Sequence, residues 1–74
     1  MGRVITVGKY RVYVWQEEGV RHHRPHCHVY WPDGDCVVAL DNLKILAGRA
    51  TPEARRVVAA HWGQLTTEWQ RLNP

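Results

Sequence analysis

The chain lacks most of the signatures by which an enzyme shows itself in sequence. It has no Cys-x-x-Cys or His-Glu-x-x-His spacing, no nucleophilic serine or cysteine beside a base, no paired carboxylate and no glycine-rich phosphate loop, so the enzyme classes built on these have less support. No apolar run approaches the length of a membrane span, and the opening "MGRVITVGKY" lacks the hydrophobic stretch and cleavage site of a secretory signal, so a cytoplasmic location without a membrane anchor is expected. Cysteine is confined to Cys27 and Cys36, which in a reducing compartment read as free thiols. Seventy-four residues leave no room for a second domain, so residues 1–74 are read as one unit with one small core. A core of that size has little margin over conformational entropy, and self-association or a protein partner would add to it.

Lysine is scarce too. Ten basic residues stand against seven acidic ones, giving +3, but eight of the ten are arginines. The planar guanidinium suits phosphate and carboxylate, so an anionic partner such as RNA fits the composition without being demanded by so modest a charge.

What the chain does have is β-rich alternation followed by helical spacing. "YRVYVW" sets Tyr10, Val12 and Val14 against Arg11, Tyr13 and Trp15, the period of a strand, with room for a shorter strand before Gly8. "QEEGVRHHRP" carries Gly, Pro and clustered charge and reads as a loop. "HCHVYW" and "CVVAL" flank "PDGD", where Asp33-Gly34 is a strong hairpin signal because both residues tolerate positive φ. With those two as the loop, Trp31 faces Cys36, Val29 faces Val38, Cys27 faces Leu40 and His26 faces Asp41, which keeps the two cysteines apart. Cys27, Val29, Trp31, Cys36, Val38 and Leu40 then share an apolar face, with His26, His28, Tyr30, Val37, Ala39 and Asp41 on the other. A turn at Asp41-Asn42 leads to a further short strand near "KILA".

Thr51-Pro52-Glu53 supplies an N-cap, a proline at the first helical position and an acid in the first turn. From there Ala54, Val58, His61 or Trp62, Leu65, Trp69 and Leu72 recur at three- and four-residue spacing, with Trp62 and Trp69 as expected core anchors. Gly63 marks a bend or a break, and Asn73-Pro74 the end. The expected fold is therefore α+β: a small antiparallel meander of three to four strands with a C-terminal helix, continuous or broken near Gly63, packed on one face.

"RHHRPHCHVYW" concentrates four of the five histidines. His26 and His28, two apart on a strand, leave the same face, and His22 or His23 could add a third nitrogen ligand, with Asp41 as a fourth or as an orienting partner. The same residues suit proton transfer: histidine has an unperturbed pKa of about 6.5, and Arg24 could hold a phosphate, so His26, His28 and Arg24 are candidates for metal-independent ribonuclease-like chemistry. Arg21, His22, Tyr30 and Asp41 would supply binding contacts. A third reading needs no chemistry, because a sheet covered by helix on one side must meet water or a protein partner on the other. Arg11, Tyr13 and Trp15 make a second basic and aromatic face, although Trp15 could equally pack beneath the Glu17-Glu18 loop. No cofactor is implied, and none of these spacings commits the histidines to a metal.

The run "HxxPHCHVY", the later "LAG", the Thr-Pro helix start and the closing "LTTEWQRL" resemble the short bacterial proteins of domain-of-unknown-function family 4160, whose signature is a histidine, a proline and then His-Phe-His-Val. The matching positions are His22, Pro25, His26, His28, Val29, Gly48, Pro52, Leu65 and Trp69, spread from about Tyr10 to Leu72. Cys27 replaces the usual Phe, and Arg21 and Arg24 stand where Asp and Pro are common, which makes the region more basic. Members are often encoded beside a second small protein in pairs similar to toxin-antitoxin modules. The resemblance thus implies a toxin-like protein with a cognate antitoxin-like partner, and the Arg24, His26 and His28 cluster joined to it leads to the expectation of action on RNA or the translation machinery. A non-enzymatic binding module and a small metal-binding protein are the alternatives.

Overall fold

A computed structural model describes residues 2–15, 24–49 and 51–73. Five strands follow in chain order, β1 (Gly2–Val7), β2 (Tyr10–Trp15), β3 (His26–Trp31), β4 (Gly34–Ala39) and β5 (Ile45–Gly48), and then two helices, α1 (Pro52–Ala60) and α2 (Trp62–Leu72). The strands lie in one antiparallel sheet in sequence order, a meander with β3 at its centre. The α+β class is as expected. The sheet is one strand larger than the expected three to four, because "GRVITV" pairs along its whole length with β2, through a turn in which Gly8 takes a φ of 57°.

Alternation decides the two faces. Tyr10, Val12 and Val14 of β2, Cys27 and Val29 of β3, and Cys36 and Val38 of β4 are buried, and with Leu40 they meet Ala54, Val58, Leu65 and Trp69 of the helices. Both helices therefore cover the same side of the sheet, as the apolar stripe requires.

The β3–β4 hairpin forms two residues away from the expected register. Its turn is Pro32-Asp33, so Trp31 pairs with Gly34, Val29 with Cys36, Cys27 with Val38, and His26 with Ala39 rather than Asp41. A two-residue turn on Asp33-Gly34 needs positive φ at both, and among the described residues only Gly8, Leu43 and Gly48 have it. Proline fixes φ near −65°, which favours it at the second position of an ordinary turn, with glycine two residues later. A shift of two leaves every side chain on its expected face, because the pleat repeats every two residues. It does bring Cys27 diagonally next to Cys36 instead of keeping them apart; both remain free, buried thiols.

Beyond β4 the chain turns through Leu40, Asp41 and Asn42, closed where Ala39 N–H donates to Lys44 C=O at 2.9 Å. Leu43 takes a φ of 61°, unfavourable for a leucine, while its side chain packs against the core. A bulge between Val37 and Val38 places Ile45 opposite Val38 and Ala47 opposite Val37, leaving Leu46 exposed. Gly48 is required. Its φ is 83°, and a Cβ there would fall on the Asp35 carbonyl oxygen and 2.7 Å from Cys36 Cα.

The Thr51 side chain accepts from Ala54 N–H at 3.2 Å, the cap that "TPE" implies. The helix breaks at His61, two residues before Gly63, and His61 Nδ1–H donates to Val57 C=O at 3.0 Å. Of the two expected tryptophan anchors, Trp69 is buried and Trp62 is not: the residue is 46% exposed, and its Nε1–H donates to Leu40 C=O at 2.6 Å. The break rotates Trp62 off the buried stripe and turns it from core residue into a clasp on the β4–β5 turn. A second clasp joins Tyr10 to α1, its hydroxyl donating to Glu53 Oε2 at 2.8 Å. That bond, reinforced by burial and the carboxylate charge, raises the Tyr10 pKa above its ordinary value. Burial, with a smaller contribution from neighbouring Cys36, pushes the Cys27 thiol up to about 12.

Leu65→Ala is expected to cost about 2–5 kcal/mol by emptying a fully buried site, whereas Trp62→Ala costs less because nearly half of the residue already meets water. Urea unfolding of both variants measures this, and an equal loss would return Trp62 to the core. Since the folded Cys27 thiol keeps its proton to about 12 against an ordinary 9.0, its stabilising contribution is complete below pH 9 and is lost as pH rises towards 12, at about 1.4 kcal/mol per unit. The melting temperature should fall across that window less steeply in Cys27→Ala than in the parent protein; equal slopes would mean that Cys27 does not titrate there.

Candidate functional site

The face that the helices leave uncovered is built from the odd partners of the same alternation. On β2 it presents Arg11, Tyr13 and Trp15, and on β3 His26, His28 and Tyr30. Arg11 pairs with Tyr30 and Tyr13 with His28, so the two sets mesh into one surface. Ring centroids lie 5.4 Å apart for Tyr13–Trp15, Tyr13–Tyr30 and Trp15–His28, and 5.2 Å apart for His26–His28. Tyr13–Tyr30 and Trp15–His28 bind β2 to β3, the other two contacts run along one strand, and all are tilted or edge to face, which leaves ring surface open to solvent. Trp15 and Tyr30 are both more than a third exposed, and beside them on β1 Val4 is 46% exposed.

The sequence places Arg11, Tyr13 and Trp15 and the histidine strand as two separate features. The β2–β3 register makes them a single patch, and nothing in the sequence states that register, because residues 16–25 separate the two strands. Trp15 packs on Tyr13 and His28.

His26 stands where the two sides of the sheet meet. Its ring lies 5.0 Å from that of the buried Trp69, and its Nδ1 is 2.7 Å from the Arg24 carbonyl oxygen. A carbonyl only accepts, so His26 Nδ1–H is the donor of this bond. The expected cross-strand partnership of His26 with Asp41 does not form. Asp41 instead takes the Arg24 guanidinium, Nε to Oδ2 at 3.2 Å with two contacts of 3.3 Å to Oδ1, and both side chains are about half exposed. Arg24, expected to hold a phosphate, is thus already engaged by a carboxylate.

Of the remaining expected site residues, Tyr30 lies within the patch, while Arg21 and His22, with His23, fall outside the described residues. Among the described residues no three His, Cys, Asp or Glu side chains are grouped as a metal ion would need, and Cys27 faces the core, away from the imidazoles. Also among them, no helix is long and apolar enough to cross a membrane.

Chemically, the patch offers flat π-faces, two imidazoles and a guanidinium. The edge-to-face contact between His26 and His28 means that a phosphate can rest against the pair but not between its members, so an acid and a base flanking one phosphorus atom would require the rings to part. Stacking requires no such movement.

Fold and site together define a small α+β domain with one packed sheet face and one aromatic, histidine-bearing face. The chain belongs to the family described as domain of unknown function (DUF4160), whose model matches residues 10–70, from the start of β2 to near the end of α2. No curated protein and no solved structure matches it.

Because the Arg24–Asp41 pair is half exposed, Asp41→Asn should change stability by less than about 1 kcal/mol in chemical denaturation. A loss several times larger would show that the pair, and not the ring contacts, fixes the start of β3.

Proposed function

We propose that the protein is the toxin-like member of a toxin-antitoxin pair and that it acts by binding single-stranded RNA across the open face of β2 and β3. The observation that carries this reading is the contiguous set of rings of Tyr13, Trp15, His26, His28 and Tyr30 on the two adjacent strands β2 and β3 of an antiparallel sheet. Unpaired bases stack on such rings, each contributing about 1–3 kcal/mol, and every base has a face to offer. Arg11 at one end of the patch supplies charge for the backbone. The toxin-like role rests on the family resemblance, and an antitoxin-like protein that covers the same face, seated on Val4 and Trp15, would silence it by competing with RNA.

A second reading, in which the bound RNA is also cut, is favoured by the adjacency of His26 and His28 and by the hydrogen bond from His26 Nδ1–H to the Arg24 carbonyl, which fixes the ring's orientation. The third, a binding module for a protein alone, draws on the exposed apolar side chains of the same patch.

Trp15→Thr with Tyr30→Thr keeps strand-forming residues while removing two stacking surfaces, and should weaken binding of a uridine-rich oligonucleotide at least tenfold with an unchanged circular dichroism spectrum. Undiminished affinity would overturn the RNA reading. In the same assay, His26→Ala and His28→Ala variants that bind RNA but no longer cut it would establish the second reading, and the absence of cutting by the parent protein would remove it. Growth arrest on expression, relieved by the product of the neighbouring gene, is the expected cellular result; normal growth would remove the toxin-like role.

A further inference from the structure

At the end of the sheet away from His26, the β1–β2 and β3–β4 turns lie side by side, because the register that pairs Arg11 with Tyr30 carries Lys9 towards Pro32. Between them is an open cleft of about 300 Å³ lined by Lys9, Arg11, Tyr30, Trp31 and Pro32. We infer that this cleft holds one nucleotide of the RNA strand, with its base against Trp31 and Tyr30 and its phosphate on Lys9 and Arg11. The inference rests on the reading of the sheet face as an RNA surface and adds to it a defined end.

Charge selects the ligand. The lining carries two cations and no carboxylate, whereas the adjoining space, which shares Lys9 and Trp31, also contains Asp33 and Glu53 beside Arg49 and so offers an anion no net attraction. The other described arginines are mostly occupied. Arg24 is held by Asp41, Arg71 by Glu68, Arg49 by the Asp33 carbonyl and Arg55 by the Leu43 carbonyl. Among the described residues Arg11 has no hydrogen-bonding or ion-pair partner, and Lys9 has only a contact of its ammonium 5.5 Å from the Tyr10 ring.

Shape selects it too. A volume of about 300 Å³ lies at the lower limit for a small-molecule site, which suits one nucleotide. The Trp31 ring that forms one wall is half-buried and braced by Tyr10 at 5.6 Å, and Tyr10 is in turn fixed by Glu53, so the wall exists before any ligand arrives. Tyr30 belongs both to the cleft and to the aromatic patch, so a strand stacked along β3, a path of ~20 Å, reaches the cleft at its end, where the chain turns and the Trp31 ring closes the wall beyond Tyr30.

The test is binding of hexauridylate over a series of salt concentrations. Each phosphate contact on a single strand contributes about 0.7 to the slope of log affinity against log salt. Lys9→Gln with Arg11→Gln removes the cations of that one phosphate and should therefore make the slope shallower by about 0.7 and weaken binding about tenfold at low salt, while Arg55→Gln with Arg56→Gln, on the helix side, leaves both unchanged. The Trp31 indole N–H resonance should shift on binding in the parent protein. If the parent binds and the Lys9/Arg11 variant keeps its slope, or if the Arg55/Arg56 variant loses as much, the cleft is not the site and the RNA face stands without it. If the parent binds no hexauridylate at all, the RNA reading fails and the inference fails with it.

Discussion

The structure depends on the pleat of β3. This strand lies at the centre of the sheet, so whatever it turns to one side must be packed and whatever it turns to the other is left for solvent or a ligand. Cys27 and Val29 point into the layer closed by Leu65 and Trp69 and have no solvent exposure. His26, His28 and Tyr30 are thereby directed outward, and β2 extends the same division with Tyr10, Val12 and Val14 inside and Arg11, Tyr13 and Trp15 outside. The apolar residues that hold the fold together and the rings that make the site are thus one alternation seen from its two faces.

That dependence explains how much could be read from sequence. The face of each residue in "HCHVYW" and "CVVAL" was legible because a period of two survives any even error in register, and the error at Pro32-Asp33 was even. Contacts across the hairpin were not legible for the same reason. The expected register sets His26 against Asp41, whereas His26 lies opposite Ala39 and Asp41 pairs with Arg24. Helical spacing identifies Ala54, Val58, Leu65 and Trp69 but misplaces Trp62, because that residue directly follows the turn at His61, where the chain departs locally from the helical path that Leu65 and Trp69 resume. The joining of β2 to β3 into one aromatic patch, and of Lys9 to Trp31 in one cleft, follows from strand pairing across a long connection, for which a single sequence carries no local signal.

Several of the positions on which the resemblance was drawn acquire physical content. Gly48 is fixed by its positive φ and by the backbone of Asp35 and Cys36 pressed against it, Pro52 opens α1, and Leu65 and Trp69 close the core over β3. These are requirements of the fold. His26 and His28 are different, since neither is wholly buried and a sheet could present almost any residue there; the fold explains where they point, not why they are histidines. A demand on their identity has to come from what they touch, and His26, held by Arg24 through Nδ1 and against Trp69 through its ring, keeps a fixed orientation on an open surface.

The outward rings also take part in holding the sheet together. Tyr13, Trp15, His28 and Tyr30 bridge β2 and β3 through cross-strand contacts, and such pairs stabilise a sheet by a few tenths to about 1 kcal/mol each. In a chain with so small a core this is not negligible, and it gives the face a property that a row of exposed charges would lack. Its rings are ordered before a ligand arrives, so a stacking base or an apolar partner meets a surface whose side-chain entropy has already been lost in folding. The cleft beside Trp31 is prepared in the same manner, from Glu53 through Tyr10 to the indole, by contacts that stabilise the junction of sheet and helix whether or not anything is bound.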